Sequence, residues 1–199
     1  MRTALRSLLR RPGFASLAIL VLALGVGGST AIFAVVDAIL LRPLPHPAGD
    51  RVVMVWRLLP SIGMLRAPTS YPEYVDLRDG VTALSHLAAY ANAAGTLQGQ
   101  GDVERLLGVT VTGNLFGALG NTPAIGRTIV ESDDRPGAES VIVLSDGLWR
   151  RRFGADSSIL GRPILLEGVP HVVVGVMPPG FAFPTERVQF WTGLRLDPA

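Results

Sequence analysis

An uncharged segment of 23 residues near the amino terminus constrains this chain more than any other feature. It runs from Phe14 to Val36 and contains no Asp, Glu, His, Lys or Arg. As an α-helix it would be about 34 Å long, whereas the hydrocarbon core of a bilayer is about 30 Å thick. We therefore expect one transmembrane helix over residues 14–36.

Two other interpretations of this segment are weaker. A cleaved signal peptide has an apolar region of about 7–15 residues and a small-residue cleavage site, whereas here the run is longer and residues 37–41 offer no clean site. A buried core helix is normally shorter or amphipathic. Ser29 and Thr30 are compatible with a spanning helix, because their hydroxyl groups can bond the carbonyl four residues earlier.

Small residues recur at helical spacing inside the segment. Ala23 and Gly27 are four residues apart, as are Gly25 and Ser29, and Gly28 lies between them. Small side chains at this spacing allow another helix to approach closely in lipid. We expect these five residues to pack against partner helices, either other spanning helices or a second copy of the chain.

The charges that flank the segment predict its orientation. Arg2, Arg6, Arg10 and Arg11 precede it, and the first 36 residues contain no acidic residue. Flanking Arg residues favour the cytoplasmic side of a membrane. We expect residues 1–13 to be a cytoplasmic basic tail on the inner leaflet, with residues 37–199 outside. In a bacterium with two membranes, this membrane is the inner one and outside means the periplasm.

Composition excludes several functional classes. The chain has no Cys, so it has no disulfide, thiolate metal site or catalytic thiol. All 18 basic residues are Arg, and a P-loop requires Lys. Four of these Arg residues lie in the basic tail, which leaves residues 37–199 slightly acidic. A nucleic-acid partner is therefore not expected.

The rest of the chain predicts a linker followed by a domain. Residues 37–50 are rich in Pro, and His46 lies between two of these prolines as a solvated linker residue. Residues 51–199 mix helix and strand patterns, so the fold class is α+β, with one N-terminal transmembrane helix followed by a mixed domain. We expect a buried strand over 52–56 and a loop over 57–69.

Local signals predict further elements of the domain. Ser70 and Glu73 form the pattern of a capping box for a helix over 70–78. Ser145 is expected to cap, and Gly154 to end, another helix. Residues 84–91 fit a short helix or the start of a strand equally well. The remaining expectations are a turn over 95–102, strands over 103–112 and 140–144, a short helix over 114–120 capped by Asn114, and a hairpin of 163–167 with 171–177.

Candidate chemical groups are few, and each has a structural interpretation. Glu131, Asp133 and Asp134 lack the further ligands of a calcium loop and are expected to lie in a solvated loop. Ser145 lacks the glycine that a hydrolase elbow needs two residues before the serine, so it is a cap and not a nucleophile. His86 is expected to be structural. We predict no catalytic, cofactor-binding or metal-binding residue, and no enzyme.

Seven segments in order resemble one family of membrane proteins, the ABC transporter permeases with a MacB-like periplasmic core domain and an FtsX-like domain. The similarity extends to the large duplicated permeases of acidobacterial genomes, and this chain resembles their amino-terminal portion. The segments are Arg11–Phe14, Leu22–Pro45, Ser70–Asp79, Val111–Gly120, Gly126–Arg127, Val143–Gly154 and Val173–Pro184.

The resemblance implies an α+β periplasmic module after the first spanning helix, further spans later in the gene and a separate P-loop ATPase subunit. The expected function is that of a permease subunit, which couples the ATPase to periplasmic movement of a substrate. The alternative is a membrane-anchored periplasmic binding or scaffold module without transport activity.

Overall fold

The structure, a computed structural model, describes residues 12–37, 51–99 and 101–195. The chain divides into two compact units, Met1–Leu44 and Pro45–Ala199. Most of the predicted basic tail and nearly all of the Pro-rich linker, including His46, lie outside the described residues.

The first unit contains one long helix, α1 (Pro12–Val36). It begins at Pro12, which is tolerated in a first helical turn because its missing N–H would have no partner there. The window Ser16–Ala34 has a mean hydropathy of 2.2, and none of it is buried. Thr30 Oγ1 donates to the Val26 carbonyl at 2.8 Å, as expected. The helix is long and apolar enough to cross a membrane.

The second unit is a mixed α+β domain, as predicted. Its helices are α2 (Tyr71–Gly80), α3 (Leu115–Ala118) and α4 (Asp146–Phe153), with short 3-10 turns at Pro60–Ile62 and Ser157–Ile159. Its strands are β1 (Arg57–Leu59), β2 (Met64–Ala67), β3 (Tyr90–Gln98), β4 (Glu104–Val111), β5 (Ile125–Gly126), β6 (Val141–Leu144), β7 (Pro163–Leu166), β8 (Val169–Val176) and β9 (Phe190–Gly193).

The main sheet closes on itself. Its seven strands follow the order β5-β8-β6-β9-β4-β3-β7, and β7 also pairs with β8. The β4–β9 and β6–β8 pairs are parallel, and the others are antiparallel. Val174 is skipped between the pairs formed by Val173 and Gly175, which makes a bulge in β8. Closure leaves little free strand edge on this sheet.

Both faces of the main sheet are covered, which explains the uninterrupted apolar sequence of β6. Val141 and Val143 belong to a core cluster with Phe116 of α3 and Trp191 of β9. The alternate residues of β6, Ile142 and Leu144, belong to a second cluster with Leu148 of α4. Successive side chains of a strand point to opposite faces, so a strand between two cores needs apolar residues at every position.

Several predicted elements are confirmed: α2, β4, α3, β6, α4 and the β7–β8 hairpin. Ser145 Oγ accepts a hydrogen bond from the Leu148 N–H at 3.2 Å, and Gly154 ends α4 with a φ of 61°. The ambiguous segment 84–91 leads into β3. The turn expected over 95–102 is shorter than predicted, because β3 extends to Gln98.

Two expectations for the start of the domain are wrong. Residues 52–56 form no strand, and Val53, Met54, Val55 and Trp56 are exposed. The strand pairing occurs instead over Arg57–Ala67, where a loop was expected, because the turn from Pro60 to Gly63 brings β1 and β2 together. An apolar run becomes a buried strand only where a neighbouring strand and a core receive it.

The acidic segment is also not a solvated loop throughout. Asp133 is 8% exposed and accepts two hydrogen bonds from the Arg127 guanidinium, at 2.5 and 3.0 Å, and one from the Val130 N–H. Burial alone would raise the pKa of Asp133, but these hydrogen bonds outweigh it and lower the pKa. Asp134 accepts hydrogen bonds from the backbone N–H groups of Gly113 and Arg195. These carboxylates fasten a loop to the sheet.

We predict that Gly108→Ala destabilises the domain and that Gly117→Ala does not. A Cβ at Gly108 would lie 2.1 Å from the ring of Phe190, which is itself buried in the core. Overpacking of this kind costs about 1–3 kcal/mol. A Cβ at Gly117, in α3, meets nothing within 4 Å. Urea unfolding of the full chain in detergent, followed by tryptophan fluorescence, measures both variants.

Equal unfolding midpoints for Gly108→Ala and the unmodified chain would contradict the packing of Phe190 against β4. The Gly117→Ala midpoint should be unchanged or slightly higher, because Ala favours a helix over Gly by up to about 1 kcal/mol.

Candidate functional site

The β1–β2 hairpin is fastened to α2 through one carboxylate. Glu73 Oε2 accepts hydrogen bonds from the backbone N–H and the hydroxyl of Ser70, both at 2.9 Å, which completes the predicted capping box. Glu73 Oε1 accepts a hydrogen bond from Arg57 at 2.6 Å. The same side chain therefore caps α2 and holds the first strand of the hairpin.

These contacts shift the ionisation of Glu73. The hydrogen bond from the Ser70 N–H, then that from Arg57, then that from the Ser70 hydroxyl favour the carboxylate and lower the pKa of Glu73 from 4.5 to about 2. The Glu73 carboxylate that holds the hairpin is thus ionised throughout the physiological pH range.

A groove of about 820 Å³ lies in the second unit. Its lining includes the segment 51–56, the chain from Arg66 to Tyr71 and residues 83–92. Its apolar lining includes Val52, Trp56, Leu87, Tyr90, Leu119 and Phe183. Arg51 and Arg66 are in its lining, which contains no Asp or Glu among the described residues. The lining fits an apolar or anionic occupant better than a cation.

Hydrogen bonds around Leu87 fix the groove wall. The Leu87 carbonyl accepts from Tyr74 Oη at 3.3 Å and from Asn114 Nδ2 at 2.8 Å. Asn114 was expected to cap α3, but its side chain makes no capping bond and serves this contact instead. Burial raises the pKa of Tyr74 and of Tyr90, so both phenols are protonated at neutral pH.

Across residues 12–37, 51–99 and 101–195, no cluster of three or more His, Asp or Glu side chains is arranged to hold a metal ion. Ser145 acts as a helix cap. His86 is exposed, and its Nδ1 lies 3.3 Å from the Ser85 hydroxyl.

The five small residues predicted to pack against other helices lie within α1 and are exposed: Ala23, Gly25, Gly27, Gly28 and Ser29. At 100° per residue, Ala23 and Gly27 share one side of the helix, whereas Gly25, Gly28 and Ser29 share the opposite side. A Cβ built on any of the three glycines meets nothing within 4 Å. Two sides of α1 are therefore open to close approach, and the packing role of these residues stays a prediction.

Comparison with known families decides the identity of this architecture. Residues 15–194 match the family described as "MacB-like periplasmic core domain". The chain belongs to this family. The match includes both most of α1 and the whole described domain up to Leu194, and it confirms the resemblance inferred from the ordered sequence motifs.

One solved structure supports the same fold. The extracellular domain of the noncanonic ABC-type transporter YknZ from Gram-positive bacteria aligns with a TM-score of 0.50 and 19% identity, over 61% of this chain and 60% of that one. The periplasmic region of MacB from Actinobacillus actinomycetemcomitans aligns with a TM-score of 0.45 and 18% identity, over 60% of this chain and 54% of that one.

A domain of a putative permease protein from Porphyromonas gingivalis aligns with a TM-score of 0.41 and 12% identity, over 59% of this chain and 49% of that one. The chain thus spans about half to 60% of the length of these structures. No curated protein matches the chain in sequence.

The exposed apolar start of this MacB-like domain was missed by sequence reasoning. A signal was available, because the apolar doublets Leu58–Leu59 and Met64–Leu65 flank a turn that contains Pro60 and Gly63, which is a hairpin pattern.

We predict that Glu73→Gln loosens the hairpin, because a neutral amide loses the ion pair with Arg57. The measurement is the rate of trypsin cleavage after Arg66 in the full chain in detergent, identified by mass spectrometry. The expected change is several-fold faster cleavage. Asp79→Asn is the matched control, since Asp79 is an exposed carboxylate of the same helix that pairs only with Arg78 among the described residues.

The pH dependence has a defined sign. Because the pKa of folded Glu73 is lowered to about 2 from 4.5, its stabilising contribution is present above pH 4.5 and is lost as the pH falls towards 2. A Glu73 carboxyl that titrates near pH 4.5 in carbon-13 NMR spectra would contradict the hydrogen bonds of Glu73 with Ser70 and Arg57.

Proposed function

We propose that this chain is part of the permease subunit of an ABC-type export or mechanotransmission system. In this role α1 anchors the chain, the domain lies in the periplasm, and a separate ATPase subunit supplies the energy. The observation that supports the proposal most is the family match over residues 15–194, because it joins the apolar helix and the domain in a single homologous sequence.

The construction of the domain suits the transmission of movement. A closed sheet with a core on each face resists internal deformation, because packed interiors are dense and shift as units. A displacement applied at one end of such a body is passed on to the other. The domain would therefore act as a rigid part whose position changes, and no bond-making chemistry is required of it.

ATP hydrolysis must be located elsewhere in this proposal. The chain contains no Lys, and the P-loop uses a Lys to contact the phosphates. Coupling then requires helices that link α1 to the ATPase. The two sides of α1 lined by small residues are suited to such helix contacts.

The proposed orientation places the amino terminus in the cytoplasm. Four Arg residues precede α1, and no acidic residue accompanies them, which is the charge bias of a cytoplasmic flank. Residues 37–199 are then periplasmic.

The experiment is purification of the complete gene product from native membranes in a mild detergent. We expect a P-loop ATPase to co-purify with it. We also expect the double variant Gly25→Leu and Ser29→Leu to lose most of that ATPase, because bulky side chains block close helix approach. Val26→Leu is the matched control on the same helix and should retain the ATPase.

Recovery of the protein without any ATPase, together with export that is unaffected by deletion of residues 51–199, would contradict the permease proposal. That result would favour the membrane-anchored scaffold. Equal ATPase recovery from the double variant and the control would contradict the packing role of Gly25 and Ser29 alone.

A further inference from the structure

The beginning of the domain exposes an unusual amount of apolar surface. Seven large apolar side chains are exposed by 44% (Trp56) to 73% (Leu65). We call them the apolar patch: Val53, Met54, Val55, Trp56, Leu58, Met64 and Leu65. The first four also line the groove described above. Scattered single apolar residues are normal on a surface, whereas a concentration of this kind marks a contact with a partner or a membrane.

The apolar patch is held on a fixed base. Ala67, at the end of β2, is 1% exposed. Val52, directly before the patch, packs against the core cluster of Phe116 and Trp191. Arg57 lies between the two halves of the patch and is bound by Glu73 at 2.6 Å. The exposed side chains are therefore presented by anchored backbone on both sides.

The charges around the apolar patch indicate the chemistry of its partner. Residues 51–72 contain three Arg and no acidic residue. The Arg66 guanidinium lies over the Trp56 ring, 5.7 Å from its centre. Aliphatic side chains combined with Trp and Arg are typical of segments at the boundary between headgroups and acyl chains, where Arg meets anionic lipid.

The position of the apolar patch in the chain favours a membrane contact over a free partner. Only residues 37–52 separate it from the end of α1, a length of at most about 55 Å when fully extended. A tether of this kind holds the patch at about millimolar effective concentration near the bilayer. Even a weak affinity for lipid would then be sufficient for docking.

We propose that the apolar patch docks on the surface of the bilayer that holds α1. The patch inserts at the headgroup boundary, and Arg51 and Arg66 lie near anionic headgroups. This inference rests on the proposed function only in requiring that α1 spans the membrane. Docking sets the height and the tilt of the periplasmic domain above the bilayer.

The natural absence of Cys allows a direct test on the full chain. Single Cys residues at Leu65, Val103 and Leu22 are spin-labelled, and the chain is placed in nanodiscs of phosphatidylethanolamine and phosphatidylglycerol, one chain per disc. Val103 is the matched control, since it is 69% exposed, as Leu65 is 73%, but lies between β3 and β4. Leu22 reports on α1 itself.

The measured quantity is the ratio of collision rates with oxygen, which partitions into lipid, and with a water-soluble nickel chelate. We expect a ratio at Leu65 that is several-fold higher than at Val103 and approaches that at Leu22. A label-free check uses brominated lipids, which should quench the fluorescence of the unmodified chain. The quenched component should be lost in Trp56→Phe.

Two results would overturn the docking. One is a water-like ratio at Leu65 while Leu22 is lipid-like. The other is a Leu65 label shielded from both reagents, which would mean that protein covers the apolar patch, whether a second copy, another subunit or a further part of the same subunit. A water-like ratio at Leu22 would instead refute the membrane anchor, and with it the proposed function, so the two failures are distinguishable.

Discussion

The apolar surface of α1 is the constraint on which the proposed role of this chain depends. Between the two ends of this helix the backbone N–H and C=O groups bond to one another, so the apolar side chains can face hydrocarbon at no cost in unpaired polar groups. None of the window Ser16–Ala34 is buried within the protein. In water this surface would be strongly unfavourable, at about 25 cal/mol per Å² of apolar area. The role proposed for the domain follows from this anchoring.

The construction of the domain favours internal rigidity. The main sheet is closed, and a core packs on each face of β6. The residues of β6 are therefore held by strands on both sides and by packed side chains on both faces. The charged groups serve the same end. Asp133 binds Arg127 and Glu73 binds Arg57, and each pair fastens a segment that lacks a core of its own. Such a body can be displaced as a whole.

Sequence reasoning succeeded where the determining contacts are local and failed where they are not. The cap of α4 by Ser145 and its end at Gly154 depend on residues within one turn, so the sequence shows them directly. Whether residues 52–56 form a strand depends on whether another strand lies beside them. The sequence of these five residues does not contain that information. The burial of Asp133 depends on Arg127 in another turn, and β9 was missed because its four residues obtain their strand partners from β4 and β6.

The central claim is that α1 crosses the membrane with the domain on the outer side, and cysteine labelling of intact spheroplasts tests it most directly. Two single variants of the complete chain, Thr3→Cys and Val103→Cys, are treated with a membrane-impermeant maleimide before and after permeabilisation. The account predicts that Val103→Cys reacts in intact spheroplasts and that Thr3→Cys reacts only after permeabilisation. Labelling of Thr3→Cys alone in intact spheroplasts, or loss of residue 3 from the mature protein, would contradict it.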